Sequence, residues 1–184
     1  MSEKVQSMNK LITTLMVLAG LSLPGWAKPL KVGAPAPDFK LQASDGKTYT
    51  LSQFKGKKAG VIAWFPKACT KGCTIECKGL HDNAKALNQY EVALFAASVD
   101  DAKTGAKFAK SLELPYPILA DPTRATAKAY GVLGLMNMAQ RHTVYVSKDG
   151  KVLAVDTAVN PSTAAIDLMD NLNTLGVAKK GHKP

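Results

Sequence analysis

The chain has 184 residues, of which 46% are hydrophobic and 21% charged, a composition that excludes disordered and low-complexity proteins and predicts a single domain. Its three cysteines are too few for a disulfide framework in a chain of this length, so we expect them to serve chemistry. The formal net charge of +10 suits a nucleic-acid binder, but the lysines are scattered and no basic stripe carries interleaved aromatic residues, so we expect a solvated basic surface and no nucleic-acid partner.

Residues 1–27 have the features of a signal peptide. Two lysines precede an apolar stretch from Leu11 to Leu23, and a proline and small residues then lead to a cleavage point. Met8 is an alternative start, because the sequence after it still holds a complete signal. The apolar stretch is shorter than the roughly 20 residues of a spanning helix. We therefore expect a cleaved signal, a domain at residues 28–184, and an exported protein, periplasmic or secreted, without stable membrane insertion after cleavage.

The rest of the chain alternates strand and helix signals. Short alternating runs around two turns predict hairpins, and continuous apolar runs are typical of strands that are buried on both faces. Strands that alternate with helices predict a central sheet covered on both faces. The predicted elements are a hairpin of Phe39–Leu41 with Thr48–Thr50, a strand at Ala59–Phe65, a helix at Thr70–Tyr90, a strand at Val92–Val99, a helix capped by Asp100 that runs to about Leu112, a strand at Pro117–Leu119, a short helix from Asp121-Pro122 to Tyr130, a hairpin of Thr143–Val146 with Val152–Val155, and a helix from about Ser162 to Leu175.

All three cysteines lie within nine residues, at Cys69, Cys73 and Cys77, directly after the first apolar strand. The predicted strand-to-helix junction is where an α/β sheet presents its functional groups. A thiol in the first turn of a helix meets free backbone N–H groups and the positive end of the helix dipole, and both favour the thiolate. A buried free cysteine is often only a small apolar side chain, but three at one helix start indicate a reactive site.

The residues around the cysteines resemble the peroxiredoxins of the AhpC/TSA superfamily. Pro66–Cys73 fits the motif P-x-x-x-T-x-x-C, Val32–Phe39 is similar to the family's opening V-G-x-x-A-P-D-F, and Cys73–Glu76 is similar to the bacterioferritin-comigratory or Q-type branch. Asp121-Pro122 and Arg141–Val146 match the region that carries the family's active-site arginine. The resemblance implies an α/β, thioredoxin-like fold with a central mixed β-sheet flanked by helices and an N-terminal β-hairpin.

The resemblance also implies a thiol-dependent peroxidase that acts in antioxidant defence and cell redox homeostasis. The Cys73 thiolate would attack hydrogen peroxide or an organic hydroperoxide and become a sulfenic acid. Thr70 would hydrogen-bond the peroxide or the thiolate, and Arg141 would place a positive charge beside the sulfur. Pro66 would shield the pocket, and Glu76 would orient the arginine. A thioredoxin-like or other dithiol would recycle the protein, a monomer or homodimer that needs no cofactor and no metal.

The second cysteine of the reaction departs from the pattern of the Q-type branch, which commonly places it five residues after the first. Cys77 follows Cys73 by only four residues. Side chains four apart in a helix have Cβ atoms about 5–6 Å apart, whereas a disulfide requires about 3.5–4.5 Å. Cys77 is the first candidate for the resolving cysteine, with distortion of the helix, and Cys69 on its more mobile loop is the second. One-cysteine chemistry, in which an external thiol attacks the sulfenic acid, is the remaining alternative.

Two other functional classes use cysteines in a similar setting. The C-x-x-x-C spacing also resembles the Sco-type copper chaperones, with His142 as the distant ligand and Met136 and Met138 as soft neighbours. A cationic Arg141 beside the thiolates disfavours a metal cation and favours a peroxidatic sulfur. A thiol–disulfide oxidoreductase usually has C-x-x-C, which this sequence lacks. The peroxidase is therefore the preferred interpretation.

Overall fold

The computed structural model describes residues 29–181, so the predicted signal segment at 1–27 lies outside the described residues. Strands and helices alternate along the chain as predicted. The strands are β1 (Lys40–Gln42), β2 (Thr48–Thr50), β3 (Ala59–Trp64), β4 (Val92–Ser98), β5 (Ile118–Ala120), β6 (His142–Val146) and β7 (Val152–Asp156). The helices are α1 (Lys71–Asp82), α2 (Ala84–Leu87), α3 (Ala102–Ser111), α4 (Ala125–Ala129) and α5 (Ala164–Thr174), with a 3-10 turn at Ser52–Phe54.

A five-stranded sheet in the order β5-β4-β3-β6-β7 forms the centre of the molecule. β3 pairs in parallel with β4 and antiparallel with β6, and β6 pairs antiparallel with β7. The sheet is therefore mixed, as the resemblance implied, and β1 and β2 form the separate N-terminal hairpin. Every residue of β3 is buried, which explains why its sequence is continuously apolar rather than alternating.

The two faces of the sheet are covered by different elements. Val61 and Ala63 of β3 contribute to a core that contains buried residues of α1, α3 and α5. Ile62 and Trp64 contribute to a second core, built from the N-terminal hairpin and from residues in and after α4. The prediction of a sheet covered on both faces is thus confirmed. Among residues 29–181, no helix is long and apolar enough to cross a bilayer.

Three predicted helix boundaries are wrong. The short helix expected from Asp121-Pro122 begins only at Ala125, with Arg124 as its N-cap residue. The helix expected over Thr70–Tyr90 is interrupted at Asn83, whose side-chain amide donates to the Gly79 carbonyl at 2.9 Å and whose backbone leaves the helical region. The cap expected at Asp100 is provided instead by Asp101, which accepts a hydrogen bond from the Thr104 N–H at 2.7 Å. Asp100 is therefore free to bind another part of the molecule.

Candidate active site

The chain leaves the centre of the sheet and enters α1 through a short turn. The Phe65 N–H donates to the Ala97 carbonyl at 2.9 Å, which extends the pairing of β3 and β4 to the edge of the turn. Thr70 is the N-cap residue of α1 with an extended backbone, so Cys73 lies in the first helical turn and is fully buried. The first N–H groups of a helix have no partner within the helix, and they give the start of α1 a positive potential. Cys73 therefore occupies the predicted strand-to-helix junction.

A guanidinium group connects the cysteine to a buried carboxylate. Arg141 directly precedes β6, the antiparallel neighbour of β3. Its Nη2 donates to Cys73 Sγ at 3.3 Å, and its Nη1 donates to Glu76 Oε2. Glu76 is only 2% exposed and lies almost one helical turn after the cysteine. The structure thus brings three predicted site residues together, with a permanent cation fixed between a carboxylate and the sulfur.

Gly72 has no side chain at the place where the Arg141 guanidinium packs against α1. A Cβ atom at this position would lie 3.3 Å from Arg141 Nη2 and 3.8 Å from Pro161 Cγ. The start of α1 therefore packs closely against the guanidinium, and Pro161 of the segment before α5 lies beside the same glycine. A helical glycine and a proline in a connecting segment carry no signal of their own, so the positions of Gly72 and Pro161 beside the site could not be predicted from the sequence.

Pro66 and Thr70 lie at the two ends of the turn. The side-chain hydrogen bonds of Arg141 go to Cys73 and Glu76 rather than to these two residues. Pro66 is half-buried at the end of β3. The Thr70 hydroxyl is exposed and donates to the Lys67 carbonyl at 3.0 Å, so its single O–H closes the turn on the backbone. A hydrogen bond from this hydroxyl to a peroxide or to Cys73 requires rotation away from Lys67.

Asp100 fixes the middle of the same turn. Its Oδ2 accepts hydrogen bonds from the Ala68 N–H at 2.8 Å and from the Ser98 hydroxyl at 3.0 Å. The next residue, Cys69, has a left-handed backbone with φ of 63°, a conformation that costs energy for a residue other than glycine. The carboxylate after β4 therefore positions a strained turn, and the sequence analysis missed this role because it assigned Asp100 to a helix cap.

The three cysteines are all free, and they differ in environment. Cys69 is exposed, whereas Cys73 and Cys77 are buried. Burial, together with the neighbouring Cys73, raises the pKa of the Cys77 thiol to about 12. Tyr116 packs on the same side, its hydroxyl donates to the Cys77 carbonyl at 2.7 Å, and burial raises its pKa. Cys77 is therefore a protonated thiol inside the apolar core at neutral pH.

The described residues do not assemble the predicted copper ligands. His142 is half-buried at the start of β6, and burial lowers its pKa, although Asp156 acts in the opposite direction. Met136 is exposed and Met138 is half-buried on the segment before β6. Among residues 29–181, no group of three His, Cys, Asp or Glu side chains could hold a metal ion. The cation beside Cys73 is the arginine, which argues against a copper chaperone.

Known proteins share both the sequence and the fold. The model of the AhpC/TSA family matches residues 32–155. The Bcp protein of Haemophilus influenzae is 39% identical over 106 residues, covering 58% of this chain and 68% of the relative. Peroxiredoxin Bcp of Escherichia coli is 30% identical over 131 residues, covering 67% and 83%. The crystal structure of the peroxidoxin BcpB from Mycobacterium tuberculosis has a TM-score of 0.72 at 29% identity, covering 79% of this chain and 97% of that one.

Proposed function

The chain belongs to the AhpC/TSA family, among peroxiredoxins of the Bcp type, and on this premise we propose how its residues perform the reaction. The protein is a thiol-dependent peroxidase, an antioxidant oxidoreductase that consumes peroxides. One observation carries the assignment of roles. Arg141 Nη2 lies 3.3 Å from Cys73 Sγ at the start of a helix, where a thiolate receives a hydrogen bond, a fixed positive charge and the helix dipole.

In the proposed reaction, the Cys73 thiolate attacks the terminal oxygen of hydrogen peroxide or of an organic hydroperoxide. The S–O bond forms as the O–O bond breaks, so the sulfur is oxidised to a sulfenic acid and the peroxide is reduced. The leaving hydroxide or alkoxide takes up a proton and becomes water or an alcohol. Arg141 stabilises the negative charge on the sulfur and on the leaving oxygen, because Glu76 holds the guanidinium in place from the other side.

The remaining site residues support this step. Pro66 fixes the end of β3 and shields the sulfur from water. Thr70 binds the peroxide when its hydroxyl turns from the Lys67 carbonyl toward the Cys73 sulfur. Glu76 is a positioning residue, since its contact is with the arginine and not with the sulfur. All these groups belong to one chain, so a monomer or a homodimer suffices for the reaction.

A dithiol of the thioredoxin type, or another dithiol, returns oxidised Cys73 to the thiolate. Cys77 and Cys69 are the candidates for a resolving cysteine, and direct attack by an external thiol is the third route. These steps move electrons between sulfur and oxygen only, so they require neither a cofactor nor a metal.

We further propose that the protein is exported to the periplasm or secreted after cleavage of residues 1–27. The proposal is supported by the signal-like sequence of this segment and by the family match, which begins only at residue 32. Export implies a reducing partner outside the cytoplasm, because the glutathione and thioredoxin pools are cytosolic. N-terminal sequencing after cell fractionation tests it. We expect a mature protein that begins at Lys28, and an intact segment in the cytoplasmic fraction would contradict export.

The test of the peroxidase mechanism is peroxide consumption with dithiothreitol as reductant. This small dithiol reduces either a sulfenic acid or a disulfide, so turnover does not depend on which cysteine resolves. We expect Cys73→Ser to abolish turnover, whereas Cys69→Ser and Cys77→Ala retain it. Turnover in Cys73→Ser, or none in the wild-type protein, would refute the assignment of Cys73.

A further inference from the structure

We propose that Cys69, rather than Cys77, resolves the sulfenic acid by forming a Cys69–Cys73 disulfide across the start of α1. The inference rests on the proposed role of Cys73 as the residue that reacts with peroxide. The Cys69 thiolate attacks the sulfenic sulfur, the S–S bond forms, and the S–O bond breaks. The departing hydroxide takes up the proton that Cys69 released and becomes water. Peroxide is the only oxidant required, and a dithiol later reduces the bond.

The environment of Cys77 opposes its use. The residue is 1% exposed and packs in the same core as Leu80 and Tyr116, and Tyr116 also binds its carbonyl. To reach the disulfide distance from Cys73, α1 would have to unwind through Glu76, which would break the ion pair with Arg141. The raised pKa of Cys77 leaves little thiolate for attack at neutral pH.

The environment of Cys69 favours its use. The residue is exposed and precedes the N-cap of α1, so no helical hydrogen bond needs to break for it to move. Its left-handed backbone is strained for a cysteine, and a rearrangement of the turn releases that strain. The side-chain contacts that hold this turn are the hydrogen bond from Ala68 to Asp100 and the bond from the Thr70 hydroxyl to Lys67.

A disulfide with Cys69 also requires only a small movement of the backbone at Cys73. The first hydrogen bond of α1 runs from the Thr74 N–H to the Thr70 carbonyl at 2.9 Å. Pairing with Cys69 requires this bond to open and Cys73 Sγ to leave Arg141 Nη2, whereas the ion pair of Arg141 with Glu76 is not on the path. Three residues separate Cys69 from Cys73, and a turn of that length allows the Cα separation of about 4.4–6.8 Å that a disulfide needs.

The lysines near the site allow mass spectrometry to identify which cysteines form the disulfide, because trypsin separates Cys69 from Cys73. Trypsin cleaves after Lys67, Lys71 and Lys78, so Cys69 lies on peptide 68–71, and Cys73 and Cys77 share peptide 72–78. The full chain is treated with one equivalent of hydrogen peroxide, its free thiols are alkylated, and the digest is analysed without reduction. Cys69→Ser is the test variant, and Cys77→Ala is its matched control. Dimedone in a parallel sample captures persisting sulfenic acid.

We expect peptide 68–71 to be linked to peptide 72–78 in the wild type and in Cys77→Ala. In Cys69→Ser the link should be lost, and dimedone should label Cys73. A disulfide within peptide 72–78, or dimedone-labelled Cys73 in the wild type with both other cysteines alkylated, would overturn the inference. A disulfide-linked dimer on a non-reducing gel would also overturn it. Unoxidised Cys73 in every variant would instead refute the proposed function on which the inference rests.

Discussion

On one side of Cys73 the chain continues into α1, where Glu76 and Cys77 are buried and an ion pair joins the helix to Arg141. On the other side it passes through an exposed turn in which Cys69 has a strained backbone and Asp100 holds the neighbouring N–H. Cys69 and Cys77 are both four residues away from Cys73. Yet α1 with its ion pair forms a fixed, buried half of the site, whereas the exposed turn at Cys69 forms its movable half. Distance along the chain therefore does not measure the availability of a thiol, whereas burial and backbone strain do.

The largest effect is expected where the fixed half meets the sulfur, at Arg141. Arg141→Lys keeps a charge for Glu76, but an ammonium cannot bridge the carboxylate and Cys73 as the two guanidinium nitrogens do. We expect the rate constant of Cys73 oxidation by peroxide to fall by about 100-fold in stopped-flow measurements. The control is Arg124→Lys, at the chain's other arginine, which is exposed and donates to the Asn137 carbonyl. A rate in Arg141→Lys equal to that of this control would refute the bridging role.

The second effect is expected at Asp100, whose carboxylate holds the turn in the movable half of the site. Asp100→Ala leaves the Ala68 N–H and the Ser98 hydroxyl without their shared acceptor, and we expect the free energy of unfolding to fall by about 2 kcal/mol. Disulfide formation after oxidation should become faster, because the turn moves more easily. Asp101→Ala is the adjacent control; it removes the cap of α3, so it lowers the stability without changing the thiol chemistry. Equal disulfide rates in the two variants would show that Asp100 only stabilises the fold.

The third effect is the pH dependence of the buried half. The pKa of Cys77 is about 12 in the folded protein against an ordinary 9.0, so the folded state holds this proton more tightly than the unfolded chain does. The resulting stability is present below pH 9 and is lost as the pH rises from 9 toward 12. Between pH 8 and 10 we expect a loss of about 1 kcal/mol in the free energy of unfolding, measured by urea denaturation of the reduced protein. Cys77→Ala should lack this loss. The same dependence of stability on pH in Cys77→Ala and in the wild type would show that the Cys77 thiol is not its cause.

The smallest effect is the backbone strain at Cys69. Glycine adopts a φ of 63° without the steric cost that any other residue has there. Cys69→Gly should therefore be more stable than Cys69→Ala by about 1 kcal/mol in denaturant unfolding of the reduced protein. Both variants lack the thiol, so their difference reports the backbone alone. Because glycine loses more conformational freedom on folding than alanine does, equal stabilities would mean that the strain does not exceed this entropic cost.

The sequence predicted the strands and the position of Cys73 at a strand-to-helix junction better than it predicted the contacts of the turn. β3 was recognisable because burial on both faces removes the alternation of a half-exposed strand. The pairing of Arg141 with Cys73 followed from the family resemblance, since nothing in the spacing of residues so far apart brings them together. The break at Asn83 depends on one side-chain hydrogen bond to the backbone, and helical periodicity does not report such bonds.

The roles of the two neighbouring acidic residues after β4 could not be predicted from the sequence either. Asp100 and Asp101 are chemically identical candidates for the cap of α3, and only the direction in which each side chain leaves the end of β4 distinguishes them. That direction depends on tertiary packing, so sequence reasoning assigned the cap to the wrong residue of the pair and overlooked that Asp100 holds the turn. The two cysteines that flank Cys73 were likewise equivalent by spacing, and burial distinguishes the exposed Cys69 from the buried Cys77.

Gly72 has a consequence for engineering. Because Arg141 Nη2 lies 3.3 Å from the place where a Cβ would be, a single added carbon requires the guanidinium to shift by a few tenths of an ångström while the reacting sulfur is left unaltered. Position 72 therefore works as a spacer whose bulk sets the separation between charge and sulfur. Alanine and serine at position 72 would therefore alter the position of the charge next to Cys73 without replacing Arg141, Glu76 or the cysteine itself.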